Sequence, residues 1–103
     1  MSLTIKKSFN EAKKYWDITV RGEVDISNAD EFRDKLNGAY EETPADLKVN
    51  FADLSYIDST GLGVIIGIYG KIKDEGKSIS LIEPRENVKK LLRITNLDKV
   101  LLG

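Results

Sequence analysis

The run Asp58-Ser59-Thr60-Gly61-Leu62-Gly63 brings acidic, hydroxyl and glycine residues together at close spacing. Two readings of Ser59 suit that chemistry. A Ser or Asp just ahead of a helix accepts a free backbone amide and caps it, a contribution of about 1 kcal/mol. A serine hydroxyl in the same place can also carry a phosphoryl group, because amides and dipole at a helix start tolerate negative charge. Asp58 adds further negative charge beside it. A partner docked closely over this turn would have to desolvate the resulting dianion, which is costly unless cations meet it. Such a modification changes the surface while keeping the fold.

Catalytic uses of Ser59 fare worse. The chain has no His, so a Ser-His-Asp triad is ruled out, and Ile57 stands where a Gly-x-Ser-x-Gly elbow needs its first glycine. Lysines abound, leaving room for a Ser-Lys pair, but no motif places one. Gly61-Leu62-Gly63 lacks the Gly-Lys-Ser/Thr that completes a phosphate-binding loop. Asp58 at a strand end also invites comparison with response-regulator receivers. The first strand, however, leads into Lys6-Lys7 and not an acidic pair for Mg²⁺, and the chain is short for that fold.

Composition narrows the classes further. With no Cys there is no disulfide and no thiolate metal site, and without His the commonest metal ligand is missing too. The 16 basic and 17 acidic residues lack the basic excess of a nucleic-acid-binding chain. No segment approaches the roughly 20 apolar residues of a membrane span, and the N-terminus has no apolar stretch typical of a signal peptide. A soluble cytoplasmic protein is expected, with residues 1–103 forming one domain that buries roughly 60–70% of its unfolded surface.

The elements that position the run follow from apolar periodicity. Leu3 and Ile5 alternate with polar residues as a first strand, and Trp16, Ile18 and Val20 as a second; the short polar link at residues 10–14 predicts an antiparallel hairpin. Gly22-Glu23-Val24-Asp25 closes the second strand. Ser27 is expected to cap a helix whose apolar stripe is Ala29, Phe32, Leu36, Ala39 and Tyr40, ending at Thr43-Pro44. Leu47, Val49 and Phe51 make a third strand, Asp53-Leu54-Ser55 a turn, and Tyr56-Ile57 a short extended piece. A second helix then runs from Asp58-Ser59 toward Gly76. Ile79, Leu81 and Ile82 form a buried fourth strand, and Pro84 fits the first turn of a third helix with Val88, Leu91 and Leu92 inward and Asn96 as its stop. Leu97 to Leu102 is apolar without a defined form.

Strand and helix therefore alternate from residue 16, which predicts an α/β domain with a mostly parallel sheet and an antiparallel N-terminal edge. If the second and third strands are parallel, their C-terminal ends share one rim of the sheet, where α/β sites are usually built, with Asp25 after one and Ser59 after the other. In the second helix Gly63, Gly67 and Gly70 share one sector of the helical wheel. Glycine costs up to about 1 kcal/mol against alanine inside a helix, so three on one side suggest close approach of another backbone, either from within the domain or from a partner.

Taken with Gly22-Glu23-Val24-Asp25, with Leu47 to Ile57 and with Val88-Lys89-Lys90-Leu91-Leu92, the Asp58–Gly63 run resembles the STAS domains over nearly the whole chain, specifically the free-standing bacterial anti-sigma factor antagonists. The resemblance implies a four-stranded, mostly parallel sheet with about three helices, and a binding protein, not an enzyme. It implies that the unphosphorylated chain binds an anti-sigma factor that is also a serine kinase, and so frees a sigma factor. That kinase would phosphorylate Ser59 with its own ATP and Mg²⁺, and a metal-dependent serine phosphatase would restore binding. Asp25, Asp58, Thr60, Gly61 and Gly63 are then the partner-binding residues, and the chain needs no cofactor or metal of its own. Thr60 is a second hydroxyl, so Ser59 is assigned as acceptor by motif position. A STAS interaction module of a signalling scaffold or transporter complex is the alternative, and an enzyme acting through Ser59 a third.

Overall fold

Residues Tyr15–Val24 alternate apolar and polar side chains for ten positions and form the longest strand, around which the sheet is organised. The computed structural model describes residues 2–102. In chain order its elements are β1 (Leu3–Asn10), β2 (Tyr15–Val24), α1 (Ala29–Glu42), β3 (Asp46–Asn50), β4 (Leu54–Ile57), α2 (Ser59–Lys73), β5 (Ile79–Ile82), α3 (Glu86–Ile94) and α4 (Asp98–Leu101). β1 pairs antiparallel with β2 along the predicted hairpin, from Leu3↔Gly22 to Asn10↔Tyr15. Every other pairing is parallel: β3 with the first half of β2, β4 with its last residues, and β5 with β3.

One face of this sheet carries the core. Trp16, Ile18 and Val20 on β2, Leu47 and Val49 on β3, and Ile79 and Leu81 on β5 are buried, while the alternate positions are half-buried or exposed. Against that face pack Phe32, Leu36, Ala39 and Tyr40 of α1 and Leu62, Ile65, Ile68 and Ile72 of α2. The helical stripe predicted for α1 is buried at every position named. Trp16 fixes the base of the layer: its ring meets Phe9 edge-on at 5.2 Å between centroids, and its indole Nε1 donates to the Thr43 carbonyl at 2.9 Å.

The fold class stands, with differences in detail. A fifth strand, β4, occupies Leu54–Ile57, where a turn and a short extended piece were expected. Its four residues read buried-exposed-exposed-buried, so alternation fails as a signal. Its pairing with β2 shifts register between Gly22 and Glu23. That bulge needs Gly22, whose φ is +101°; a Cβ there would stand 2.3 Å from the Ser2 carbonyl oxygen.

Ser27 does not cap α1. Asn28 occupies the cap position without a side-chain bond to the helix, because both Ser27 and Asn28 are engaged in the preceding loop. Pro84 lies ahead of α3 and outside its first turn. The cap is Arg85, whose Nε donates to the Ala52 carbonyl at 3.0 Å and sets the helix start against the approach to β4. Asn96, with φ +60°, closes α3 as predicted: the Leu97 amide reaches the Leu92 carbonyl at 2.9 Å and the Asn96 amide that of Arg93 at 3.1 Å. The apolar tail then supplies α4, which buries Leu101.

Candidate functional site

β2 and β4 are parallel and end in register at Val24↔Ile57, so the loops that follow leave the same rim of the sheet as neighbours. The Asp58 amide donates across to the Val24 carbonyl at 3.2 Å, joining the first residue beyond β4 to the last residue of β2. Asp25 and Ser59, assigned to separate strand ends from sequence, are thus brought together, and more closely than the expected pairing through the third strand implies.

Each loop begins with an aspartate that organises the hydroxyl residue two positions on. Asp58 Oδ1 accepts the Thr60 amide at 3.0 Å, the Thr60 hydroxyl at 2.5 Å and the Gly61 amide at 3.1 Å. Asp58 is therefore the N-cap of α2. Hydrogen bonding from the Thr60 hydroxyl, then from the Gly61, Thr60 and Ile26 amides, holds its carboxyl below the usual carboxylate range against the opposing effect of desolvation. On the neighbouring strand, Asp25 Oδ1 accepts the Ser27 amide at 2.8 Å and the Ser27 hydroxyl at 2.5 Å. The middle residues of the two turns, Ile26 and Ser59, are exposed.

The capping role open to Ser59 thus belongs to Asp58. Ser59 is the first residue of α2, and no hydrogen bond engages its hydroxyl among the described residues. Thr60 is half-buried with its hydroxyl committed to Asp58. Gly61, expected on the partner surface, is buried instead. A Cβ there would meet Ile57 Cγ1 at 2.6 Å and Val24 Cγ1 at 2.8 Å, so glycine at this position lets α2 close onto the two strand ends. Gly63, Gly67 and Gly70 are exposed, with open space at each Cβ position. Among the described residues no other backbone comes within 4 Å of these Cβ positions, so their shared face is not closed against another part of the domain. Between α1 and α2, Arg33, Asn37, Thr60, Gly63, Gly67 and Lys71 line an open groove of about 410 Å³ that begins beside the Asp58 turn.

Two participants had no motif to reveal them. Asn28 is buried at the root of the first loop: its Oδ1 accepts the Asp25 amide and its Nδ2 donates to the Glu23 carbonyl, both at 2.9 Å. Ile26 is 80% exposed, the most exposed of the large apolar side chains in the described residues. The available signal was a lone apolar residue inside the polar stretch Asp25-Ile26-Ser27-Asn28. Among the described residues no group of three or more acidic side chains is placed to hold a metal ion, and no helix is long and apolar enough to cross a membrane.

Comparison with known proteins adds the family context. The family model described as STAS domain matches residues 9–102. An anti-sigma-B factor antagonist of Bacillus subtilis (strain 168) is 33% identical over 101 residues, covering 98% of this chain and 88% of the relative. Among solved structures, a Thermotoga maritima protein described as a candidate anti-sigma factor antagonist superposes with a TM-score of 0.85 at 26% identity, over 94% of this chain and 82% of that one. The anti-sigma factor antagonist SpoIIAA in its unphosphorylated form shares the fold at 20% identity, with a TM-score of 0.79 over 98% of this chain and 86% of that one. SpoIIAA of Bacillus in its phosphorylated form shares it with a TM-score of 0.72, over 98% of this chain and 89% of that one.

Proposed function

The chain belongs to the STAS domain family, and from that premise we propose that it is an anti-sigma factor antagonist whose binding is switched off by phosphorylation at Ser59. The unmodified rim, with Asp25, Asp58, Thr60 and Gly63, docks an anti-sigma factor that is also a serine kinase and thereby releases a sigma factor. The kinase transfers the γ-phosphoryl group of its own Mg²⁺-bound ATP to Ser59 Oγ; the serine proton passes to a base on the kinase and ADP leaves. Hydrolysis by a metal-dependent serine phosphatase returns the serine and inorganic phosphate. The chain itself contributes a surface and an acceptor, with no chemistry of its own.

The observation that carries this reading is the division of labour at the start of α2. Asp58 caps the helix, so the Ser59 hydroxyl is exposed and unengaged at the helix's positive end. A phosphoryl group placed there adds nearly two negative charges beside Asp58 without removing a bond that holds the domain together. A partner fitted to a neutral serine then faces a dianion it cannot desolvate cheaply. The names of the relatives, and the existence of SpoIIAA in both phosphorylated and unphosphorylated forms, support the same cycle.

The test is reconstitution with the cognate anti-sigma kinase, ATP and Mg²⁺, with the phosphate mapped by mass spectrometry and the complex followed by size-exclusion chromatography. Phosphate at Ser59 and loss of the complex are expected. Phosphate confined to other residues, or a complex indifferent to phosphorylation, would overturn the proposal.

A further inference from the structure

We propose that Ile26 is the apolar anchor of the docking surface: it enters a hydrophobic socket on the anti-sigma factor, rimmed by cationic or amide groups that meet Asp25 and Asp58. This inference rests on the antagonist reading and deepens it. A large apolar side chain left 80% in water is ordinary when isolated on a surface. Ile26 is distinguished by how it is held. The residues on either side are fixed to each other and to the sheet end: the Ser27 amide and hydroxyl bind Asp25 Oδ1, the Asn28 amide donates to the Asp25 carbonyl at 3.1 Å, and the Asn28 side chain spans the Asp25 amide and the Glu23 carbonyl. The Ile26 amide itself faces the Asp58 carboxylate.

The loop therefore presents its one apolar side chain outward on a preformed frame. Little chain ordering remains to oppose binding, which is the condition under which a single buried side chain contributes most. Position adds to this, because Ile26 occupies in its turn the place that Ser59 occupies in the adjacent one. A partner close enough to sense phosphate on Ser59 reaches Ile26 as well.

Charge selects the kind of partner. Ile26 is the middle residue of one of two adjacent turns that each begin with an aspartate, so a second copy of this chain would set one acidic rim against another, and an anionic lipid surface would meet the same repulsion. A protein surface with an apolar pocket flanked by arginine, lysine or backbone amides satisfies both features.

Equilibrium titration of the full chain against its cognate anti-sigma factor tests the anchor. Ile26→Ala is expected to weaken binding about tenfold or more and Ile26→Asp further, with Ile26→Val within about threefold of wild type. Melting temperatures should stay within about 2 °C, since an exposed side chain is changed. Ile94→Ala, at a 69% exposed position on α3, is the control and should bind like wild type. An Ile26→Ala affinity within twofold of wild type overturns the anchor while leaving the antagonist reading in place. So does an equal loss in Ile94→Ala, or a loss matched by a fall in melting temperature. Failure of the wild-type chain to bind the anti-sigma factor overturns the antagonist reading and the anchor with it.

Discussion

The Thr60 hydroxyl donates to the Oδ1 of Asp58 that also accepts the Thr60 amide, so the two residues flanking Ser59 are bound to each other across it. Ser59 is the residue this clasp leaves out. From that relationship the two adjacent hydroxyls acquire different roles, one structural and one available.

Phosphorylation should therefore discriminate between them. In the reconstituted kinase reaction, Thr60→Val is expected to accept phosphate at Ser59, whereas Ser59→Ala accepts none in the 59–60 region. Ser59→Ala should still bind the anti-sigma factor, and Ser59→Asp should bind it about tenfold more weakly, since a buried unpaired charge is costly. Equal binding by the two serine variants would remove the electrostatic basis of the switch.

Asp58→Ala should lower the melting temperature by about 4–8 °C through loss of the α2 cap. Because the folded-state carboxyl of Asp58 lies below its ordinary value of about 3.9, the stability it contributes is present above that pH and lost as pH falls through the folded-state value. The gap between wild type and variant, followed by thermal melts from pH 7 downward, should hold to about pH 4.5 and close below pH 4. A gap that widened on acidification would contradict the assignment.

The glycines of α2 should split into two kinds. Gly61→Ala forces a Cβ against Val24 and Ile57, and a destabilisation of about 1–3 kcal/mol is expected in denaturant unfolding. Gly67→Ala meets nothing within 4 Å and should stabilise the free domain by up to about 1 kcal/mol through helix propensity alone. Similar effects at the two positions would mean that α2 packs differently against the strand ends.

Asn28→Ala removes the partners of the Asp25 amide and the Glu23 carbonyl and should cost about 1–3 kcal/mol. It should also weaken anti-sigma factor binding by loosening the loop. Asp25→Ala should lose affinity with little change in melting temperature. If binding by Asn28→Ala were unaltered, the shape of this loop would have no part in docking.

The sequence carried the frame of this protein because its main elements bury one continuous stripe each. Trp16, Ile18 and Val20 declare β2, and Phe32, Leu36 and Tyr40 declare α1, by spacing alone. β4 escaped because a four-residue strand paired through an irregular register leaves no period to read. The distinction between Gly61 and Gly63 escaped for a different reason: composition shows that a helix contains glycines, but which of them faces Val24 is settled only when the strand ends meet. Ser27 looked like a cap from its position before α1, but the cap position falls to Asn28, while the Ser27 amide and hydroxyl both donate to Asp25 two residues upstream.

The single hydrogen bond from the Asp58 amide to the Val24 carbonyl bears on tempo as well as geometry. It ties the Asp58 turn to the end of β2 beside the Asp25 turn, so that under the proposed cycle a phosphoryl group on Ser59 would be added to and removed from a surface already formed. In that proposed cycle the signal would change as fast as enzymes write and erase it and as partners dissociate. On the proposed function the protein would act as a token passed between other machines, with its response time set by them.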